Sequence, residues 1–384
     1  MSSATIYLTN ECNLRCKHCF VGHDQLRPRA GLSTEDAQAV IANFAASGIK
    51  TITLLGGEVT TERHDLADIL RFSEARGVAV SINTNLVDPA PLLALLDSAA
   101  LTNIVVSVDG LTASTHDRIR GTGTFAKTAS NLAILARHPR VADGSLTVDL
   151  TFVLTALNKA DVYALPRFAK QHGINKINFK TLQFNDRAAQ NRAQLQLTDK
   201  ELLDTCTAFY VYCLLEGGIN LDMHIPPAFG YYLDKVASAP EHLWNFESCG
   251  GTQVYTYVDL YGNNLPCPAM SLEENVDSNL RARSSALSAV ANPIAQIQAR
   301  SLFRGFDRSV AQRHRNAAME PCRDCIFSAR CSPCTNEIIR GHDHGRVDIC
   351  AAVRKHGNDR IPGLSDELFG HAAQDATGAV VTAV

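Results

Sequence analysis

Six short apolar runs, at residues 5–8, 51–55, 78–82, 103–108, 146–153 and 176–179, recur along the first half of the chain, with helix-length amphipathic stretches between them. Runs of this length and composition read as buried strands. The intervening stretches carry helix punctuation: Ser33-Thr34-Glu35-Asp36 caps a helix that runs to position 47, and Gly48 ends it. Such alternation requires parallel strands joined by crossover helices, an α/β fold. The period alone fits either a doubly wound sheet or a barrel. A longer helix is expected over 198–216, stopping at Gly217-Gly218. From about 245 to 355 Gly, Pro and Cys become frequent and regular segments brief, the composition of a small unit held by metal rather than by a large apolar core. Beyond Pro362-Gly363 the chain is rich in Ala and Gly and reads as a frayed tail. There is no internal repeat.

A chain of 384 residues has the length of about two domains. Basic and acidic residues are interspersed, with a net charge of −3. That leaves no basic stripe for nucleic acid and no polybasic patch for a membrane. No charged segment precedes an apolar run at the N-terminus, and no apolar stretch is long enough to span a bilayer, so the protein is expected to be cytoplasmic. In a reducing compartment, 12 cysteines read as metal ligands before disulfides. They cluster: three near the start, Cys206 and Cys213 in mid-chain at core spacing on one helix, and seven between Cys249 and Cys350.

The first three lie in Cys12-Asn13-Leu14-Arg15-Cys16-Lys17-His18-Cys19, spaced C-x3-C-x2-C, with no further cysteine until Cys206. A ferredoxin cluster takes four cysteine ligands, and a structural zinc site also closes with four. Three thiolates would leave one iron of a four-iron cluster open to a ligand. His18 keeps a zinc set of three cysteines and a histidine in play.

This spacing resembles that of the radical S-adenosylmethionine (SAM) enzymes. The resemblance implies a partial (β/α)6 barrel and a [4Fe-4S] cluster on Cys12, Cys16 and Cys19. In the family, SAM chelates the open iron and its reductive cleavage yields a 5′-deoxyadenosyl radical. Gly56-Gly57-Glu58, after the second strand, matches the family's G-G-E motif, although Val59 stands where proline is usual. The resemblance has the glycines let the backbone approach the methionyl group while Glu58 helps hold its ammonium. Ser107, Asp109-Gly110, His116-Asp117 and Arg120-Gly121-Thr122-Gly123-Thr124-Phe125 resemble the longer pattern S-x-D-G…H-D…R-G…G-x-F. By resemblance Ser107 contacts SAM and Arg120 pairs with its carboxylate; the plainer reading of Arg120 is a surface ion pair with Asp117. His116 reads as structural.

Cys249, Gly262, Cys267, Cys322, Cys325, Cys331, Cys334 and Cys350 follow the order and spacing of the seven-cysteine SPASM extension, except that Cys331 and Cys334 are separated by two residues rather than three. Two zinc knuckles are the alternative for Cys322–Cys334. The resemblance implies two auxiliary clusters, hence three in all. One would sit on Cys322, Cys325, Cys331 and Cys350, the other on Cys249, Cys267 and Cys334 with an open iron or a ligand other than cysteine.

The implied organisation is a radical SAM barrel over 1–185, a helical linker region over 186–244, the SPASM domain over 245–355 and a tail over 356–384. The implied function is hydrogen abstraction from a ribosomally made peptide that is crosslinked or oxidised, with a flavodoxin- or ferredoxin-type reductant. Strand one begins near Thr5, which leaves no room for the leader-binding domain of many relatives, so a peptide is expected to be held by the barrel and SPASM surfaces or delivered by a separate leader-binding partner. Formylglycine formation in a sulfatase is the second reading, weakened because Pro268 rather than an aspartate follows Cys267. Dehydrogenation of a small alcohol or sugar is a third, and a plain iron–sulfur electron carrier the non-enzymatic alternative. No residue is singled out as a catalytic base.

Overall fold

The computed structural model describes residues 2–19, 31–61, 64–184, 186–223, 225–238, 255–268, 284–304, 322–328, 331 and 345–370. The six apolar runs form β1 (Ser3–Thr9), β2 (Thr51–Gly56), β3 (Ala79–Thr84), β4 (Leu101–Ser107), β5 (Thr147–Leu154) and β6 (Lys176–Thr181). Three further strands, β7 (Asn220–Met223), β8 (Tyr255–Val258) and β9 (Asn264–Leu265), complete one sheet. Its order is β7-β6-β5-β4-β3-β2-β1-β8-β9. From β1 to β7 each strand lies beside its successor, always parallel. A doubly wound sheet reverses direction at a switch point. A sheet that winds one way, with a helix after each strand, curls as a barrel does. Here β7 and β9 are its two ends, so the barrel is open.

Three segments differ from expectation. The region over 186–244 is not purely helical: β7 pairs with β6 and adds a seventh parallel strand. Its four residues, Asn-Leu-Asp-Met, are too short and too polar to stand out as a strand. The first described element of the cysteine-rich region is β8, which pairs in parallel with the free edge of β1 and then turns into β9. The turn is made by Gly262, at φ 83°, and by the Asp259 carboxylate, which accepts the backbone N–H groups of Tyr261 and Asn263 at 2.9 Å each. The tail starts later than position 356, because the helix Leu364–Phe369 packs with Leu364, Leu368 and Phe369 buried. Residues 371–384 lie outside the described ones.

The helix Asp199–Glu216 begins with the capping box its sequence encodes: Thr198 accepts the backbone N–H of Glu201, whose side chain returns to Thr198. Phe209 of this helix stacks on Phe179 of β6 at 4.1 Å between ring centroids, and Phe179 stacks on Phe152 of β5 at 5.8 Å. Together they fasten the helix layer to the sheet. Phe179→Ala is expected to lower unfolding free energy by about 3–5 kcal/mol in chemical denaturation, because it empties the middle of that stack.

Candidate functional site

Every motif that the sequence singles out in the first domain emerges beyond the C-terminal end of a strand. The cysteine loop follows β1, Gly57-Glu58 follows β2, Asn85 follows β3 and Asp109-Gly110 follows β4. In a parallel barrel those ends share one face, where the connecting loops build the site.

Two glycines dock the first two loops. The N–H of Gly57 donates to the carbonyl of Thr9 and the N–H of Glu58 to that of Glu11, each at 2.7 Å. A Cβ at Gly56 would overlap the Thr9 backbone, and one at Gly57 the Glu11 carbonyl. Room for SAM was the expected reason for these glycines. The contact that demands them here is backbone against backbone within the protein.

Glu58 is buried beside this junction. Its carboxylate accepts the N–H of Asn85 at 2.7 Å and the Thr60 hydroxyl at 2.8 Å. Burial pushes its pKa up, and these bonds oppose the rise. The Asn85 side chain donates to Asn13 Oδ1 at 2.8 Å, within the cysteine loop. The next residue, Leu86, is held at φ 56°, a conformation that costs a leucine free energy. Its N–H donates to Thr84 Oγ1 at 2.9 Å and its carbonyl accepts from Asn131 Nδ2 at 2.9 Å.

Asp109 joins the other side of the site. It is fully buried, and its Oδ2 meets both His18 Nε2 and Arg120 Nε at 2.5 Å, while Oδ1 accepts the N–H of Val153 at 2.8 Å. Burial alone would raise its pKa, but Arg120 and then His18 outweigh that and hold the carboxyl far below the usual range. Arg120 is therefore buried and paired with Asp109, not with Asp117 at the surface. Asp117 instead accepts the N–H groups of Gly123 and Phe125, ordering the next turn. His18 spends its Nε2 on Asp109, which removes that nitrogen from any zinc set with the nearby cysteines. His116 is structural, as read: its Nδ1 accepts the N–H of Asp109 at 3.3 Å and its ring packs on Phe125. Ser107 ends β4 half-buried, opposite Thr151 of β5.

Residues 6–169 match the model of the Radical SAM superfamily. The chain carries a radical SAM domain. It is 30% identical over 185 residues to the Fe-coproporphyrin III synthase of Methanosarcina barkeri, a match covering 48% of this chain and 44% of that protein, so less than half of that relative is spanned. It is 26% identical over 330 residues to the PqqA peptide cyclase of Rhodopseudomonas palustris, covering 83% of this chain and 78% of the relative. Its fold is that of Streptococcus suis SuiB, solved bound to precursor peptide SuiA, with a TM-score of 0.66, 16% identity and coverage of 90% of this chain and 74% of SuiB.

The superfamily implies a four-iron cluster and SAM, and the loop suits a cluster. Cys12 Sγ accepts the N–H of Leu14 at 3.4 Å, a donor of the kind that steadies a thiolate. Burial pushes the Cys12 thiol up to about 11 and also raises Cys16, whose thiolate Arg120 favours. These thiols hold their protons until a metal displaces them. Among the described residues no three His, Cys, Asp or Glu side chains converge as a shell for one ion. A cubane cluster offers each thiolate a different iron, so its ligands stand farther apart than those of a single zinc.

Of the later cysteines, Cys267, Cys322, Cys325, Cys331 and Cys350 are half-buried, and Cys249 and Cys334 lie outside the described residues. The Cys325 N–H donates to the Cys322 carbonyl at 3.3 Å, and the Cys325 thiol is raised first by burial. Cys350 lies on the helix Gly345–His356. Arg354 of that helix reaches Asp324, between Cys322 and Cys325, at 3.2 Å. Cys206 and Cys213 are buried in the main core, and burial alone raises both thiols, with no thiol or charge of the described residues beside them. They are packing residues. Sequence reasoning gave no role to Asp109, Asn13 or Asn85, and gave His18 only a place in a zinc set. Asp109 stood in the quoted motif, but its partners come from three different elements.

Burial, reinforced by Arg120, pushes His116 down to about 4, so it folds as the neutral ring. The unfolded chain takes up that proton more readily. His116 therefore contributes stability above its unfolded value of about 6.5, and the contribution drains away as pH falls from there toward 4. His116→Asn keeps an acceptor for the Asp109 N–H, and urea midpoints between about pH 7.5 and 5.5 should then fall less steeply than in the wild type.

Proposed function

We propose that the protein is a radical SAM enzyme that abstracts hydrogen from a peptide and leaves it crosslinked or oxidised. The match to PqqA peptide cyclase carries this reading, because it extends over 83% of the chain and so beyond the domain at 6–169. SuiB, which shares the fold, was solved with its precursor peptide.

The cluster and SAM, when bound, supply the radical chemistry that opens an unactivated C–H bond. Cys12, Cys16 and Cys19 hold the cluster. Glu58 lies close enough to Cys12 for its charge to act on that thiolate, which suits it to face the methionyl ammonium. Arg120, fixed by Asp109, presents its remaining N–H groups to the carboxylate, and Ser107 lies at the end of the neighbouring strand. The docked loops orient these groups and exclude water from them.

The cysteine-rich region holds two auxiliary clusters, making three. Arg354 and Asp324 support the grouping of Cys322, Cys325 and Cys350, to which Cys331 is added. Cys249, Cys267 and Cys334 hold the other cluster, with a fourth ligand from outside the cysteines. A flavodoxin- or ferredoxin-type protein delivers electrons, and the peptide is held by the barrel and the cysteine-rich region or delivered by a separate protein. No helix among the described residues is long and apolar enough to cross a membrane.

Anaerobic reconstitution should yield about three four-iron clusters per chain, and replacing Cys12, Cys16 and Cys19 by alanine should remove one cluster and all SAM cleavage. Iron near a single cluster, accompanied by stoichiometric zinc, would sink the auxiliary assignment. Peptide chemistry is tested by mass spectrometry of candidate precursor peptides, where crosslinking removes two hydrogens.

Glu58→Gln should weaken SAM binding in calorimetry by about 1.5–3 kcal/mol at unchanged cluster content, because a charge-assisted bond to the ammonium is lost. Unaltered affinity would place Glu58 outside the SAM site.

A further inference from the structure

The loop after β6 brings a second arginine to the cysteine loop. Asn191 Nδ2 bridges two carbonyls, that of Lys17 at 3.3 Å and that of Arg187 at 2.7 Å. Lys17 Nζ donates to Gln194 Oε1 at 2.7 Å, and the Lys17 N–H to the Ile119 carbonyl at 2.8 Å. The segment from Arg187 to Gln194 is thus clamped onto the residue next to Cys16. The Arg187 charge is felt at Cys16, alongside that of Arg120.

The two arginines are in different situations. Arg120 already spends its Nε on Asp109. Arg187 Nη1 is shielded from solvent and has no hydrogen-bond partner among the described residues. A shielded N–H of a guanidinium is costly to leave unmet, and its planar fork of donors fits a carboxylate. No acidic side chain of the described residues pairs with Arg187, which leaves its buried N–H suited to the carboxylate of a ligand.

We propose that Arg187 is a SAM-binding residue, donating to the methionyl carboxylate beside Cys16 and sharing that anion with Arg120. The inference rests on the radical SAM reading of the cysteine loop. The place beside Cys16 favours the carboxylate of SAM over an acidic group of the peptide, because SAM is the ligand that reaches the open iron next to this thiolate.

Reconstituted wild type, Arg187→Met and Arg187→Lys are compared by calorimetry with SAM and with its decarboxylated analogue, and by the EPR change that SAM causes in the reduced cluster. Arg187→Met should bind SAM about ten- to a hundredfold more weakly at equal iron content, while the analogue binds wild type and variant alike. Arg187→Lys should recover part of the affinity for SAM, and saturating SAM should restore the EPR change. SAM affinity within twofold of wild type in Arg187→Met overturns the proposal, as does an equal loss for SAM and the analogue. Should Arg187→Met fail to take up iron, Arg187→Lys decides by the same comparison. Wild type that carries the cluster but binds no SAM would instead overturn the radical SAM reading itself.

Discussion

The buried carboxylate of Asp109 is the contact on which the site's geometry depends. A charge removed entirely from water is sustained only by partners that replace hydration. Asp109 finds them on three separate pieces of chain: His18 in the cysteine loop, Arg120 at the end of the helix Ala113–Arg120, and the backbone of Val153 in β5. Its carbonyl is held by Asn158 and its N–H by His116. Any displacement of one partner leaves the others facing an unpaired charge. The cysteine loop is thereby pinned to β4 and β5 by protein contacts alone, which sets the approach of Cys16 before any metal arrives.

The opposite side is held by geometry more than charge. Gly56 and Gly57 allow the β1 and β2 loops to touch, and Glu58 then reaches across to the backbone after β3. The result is an ordered distribution of sign around the thiols. Glu58 bears on Cys12 from one side, while Arg120 and Arg187 bear on Cys16 from the other. An amino-acid zwitterion asks for such a separation, an anion near its ammonium and cations near its carboxylate. The charges are installed by the fold, so binding such a ligand needs little reorganisation.

Much of the barrel was legible because its signals are local. Six parallel strands, the helix capped at Ser33, the helix over 198–216, and the loops carrying Cys12, Glu58 and Asp109 all follow from signals spanning a few residues. Strand order was not legible, since the period of a doubly wound sheet is the same. Nor was β7, whose pairing with β6 comes from tertiary context rather than from Asn-Leu-Asp-Met itself. For Arg120 the sequence offers two partners, the SAM carboxylate by resemblance and a surface ion pair with Asp117, and it does not point to the buried one. The true partner lies 11 residues away across a turn, and burial decides the pairing. Arg187 carried no sequence signal at all: an arginine on a short helix becomes notable only when its N–H is found shielded beside a cysteine loop.

The cysteine-rich region read as a unit that only metal could hold, yet both its ends are built into the barrel by ordinary packing. At its start, β8 pairs along β1, Tyr257 facing Thr5 and Val258 facing Ile6, with Val258 and Leu265 buried in the main core. At its end, the helix Gly345–His356 lies against the helix Asp199–Glu216, which Phe209 fastens to β6. Strands β1 and β6 stand five places apart in an open sheet, so the region is tied to it on two flanks. Ile349, Ala352 and Val353 bury the second attachment, and Ser365 closes it by donating to the Val353 carbonyl. Metal bound between two such anchors need not generate a fold. With both ends already placed, the loop that such a metal would close is shorter, and the entropy lost on closing it is lower.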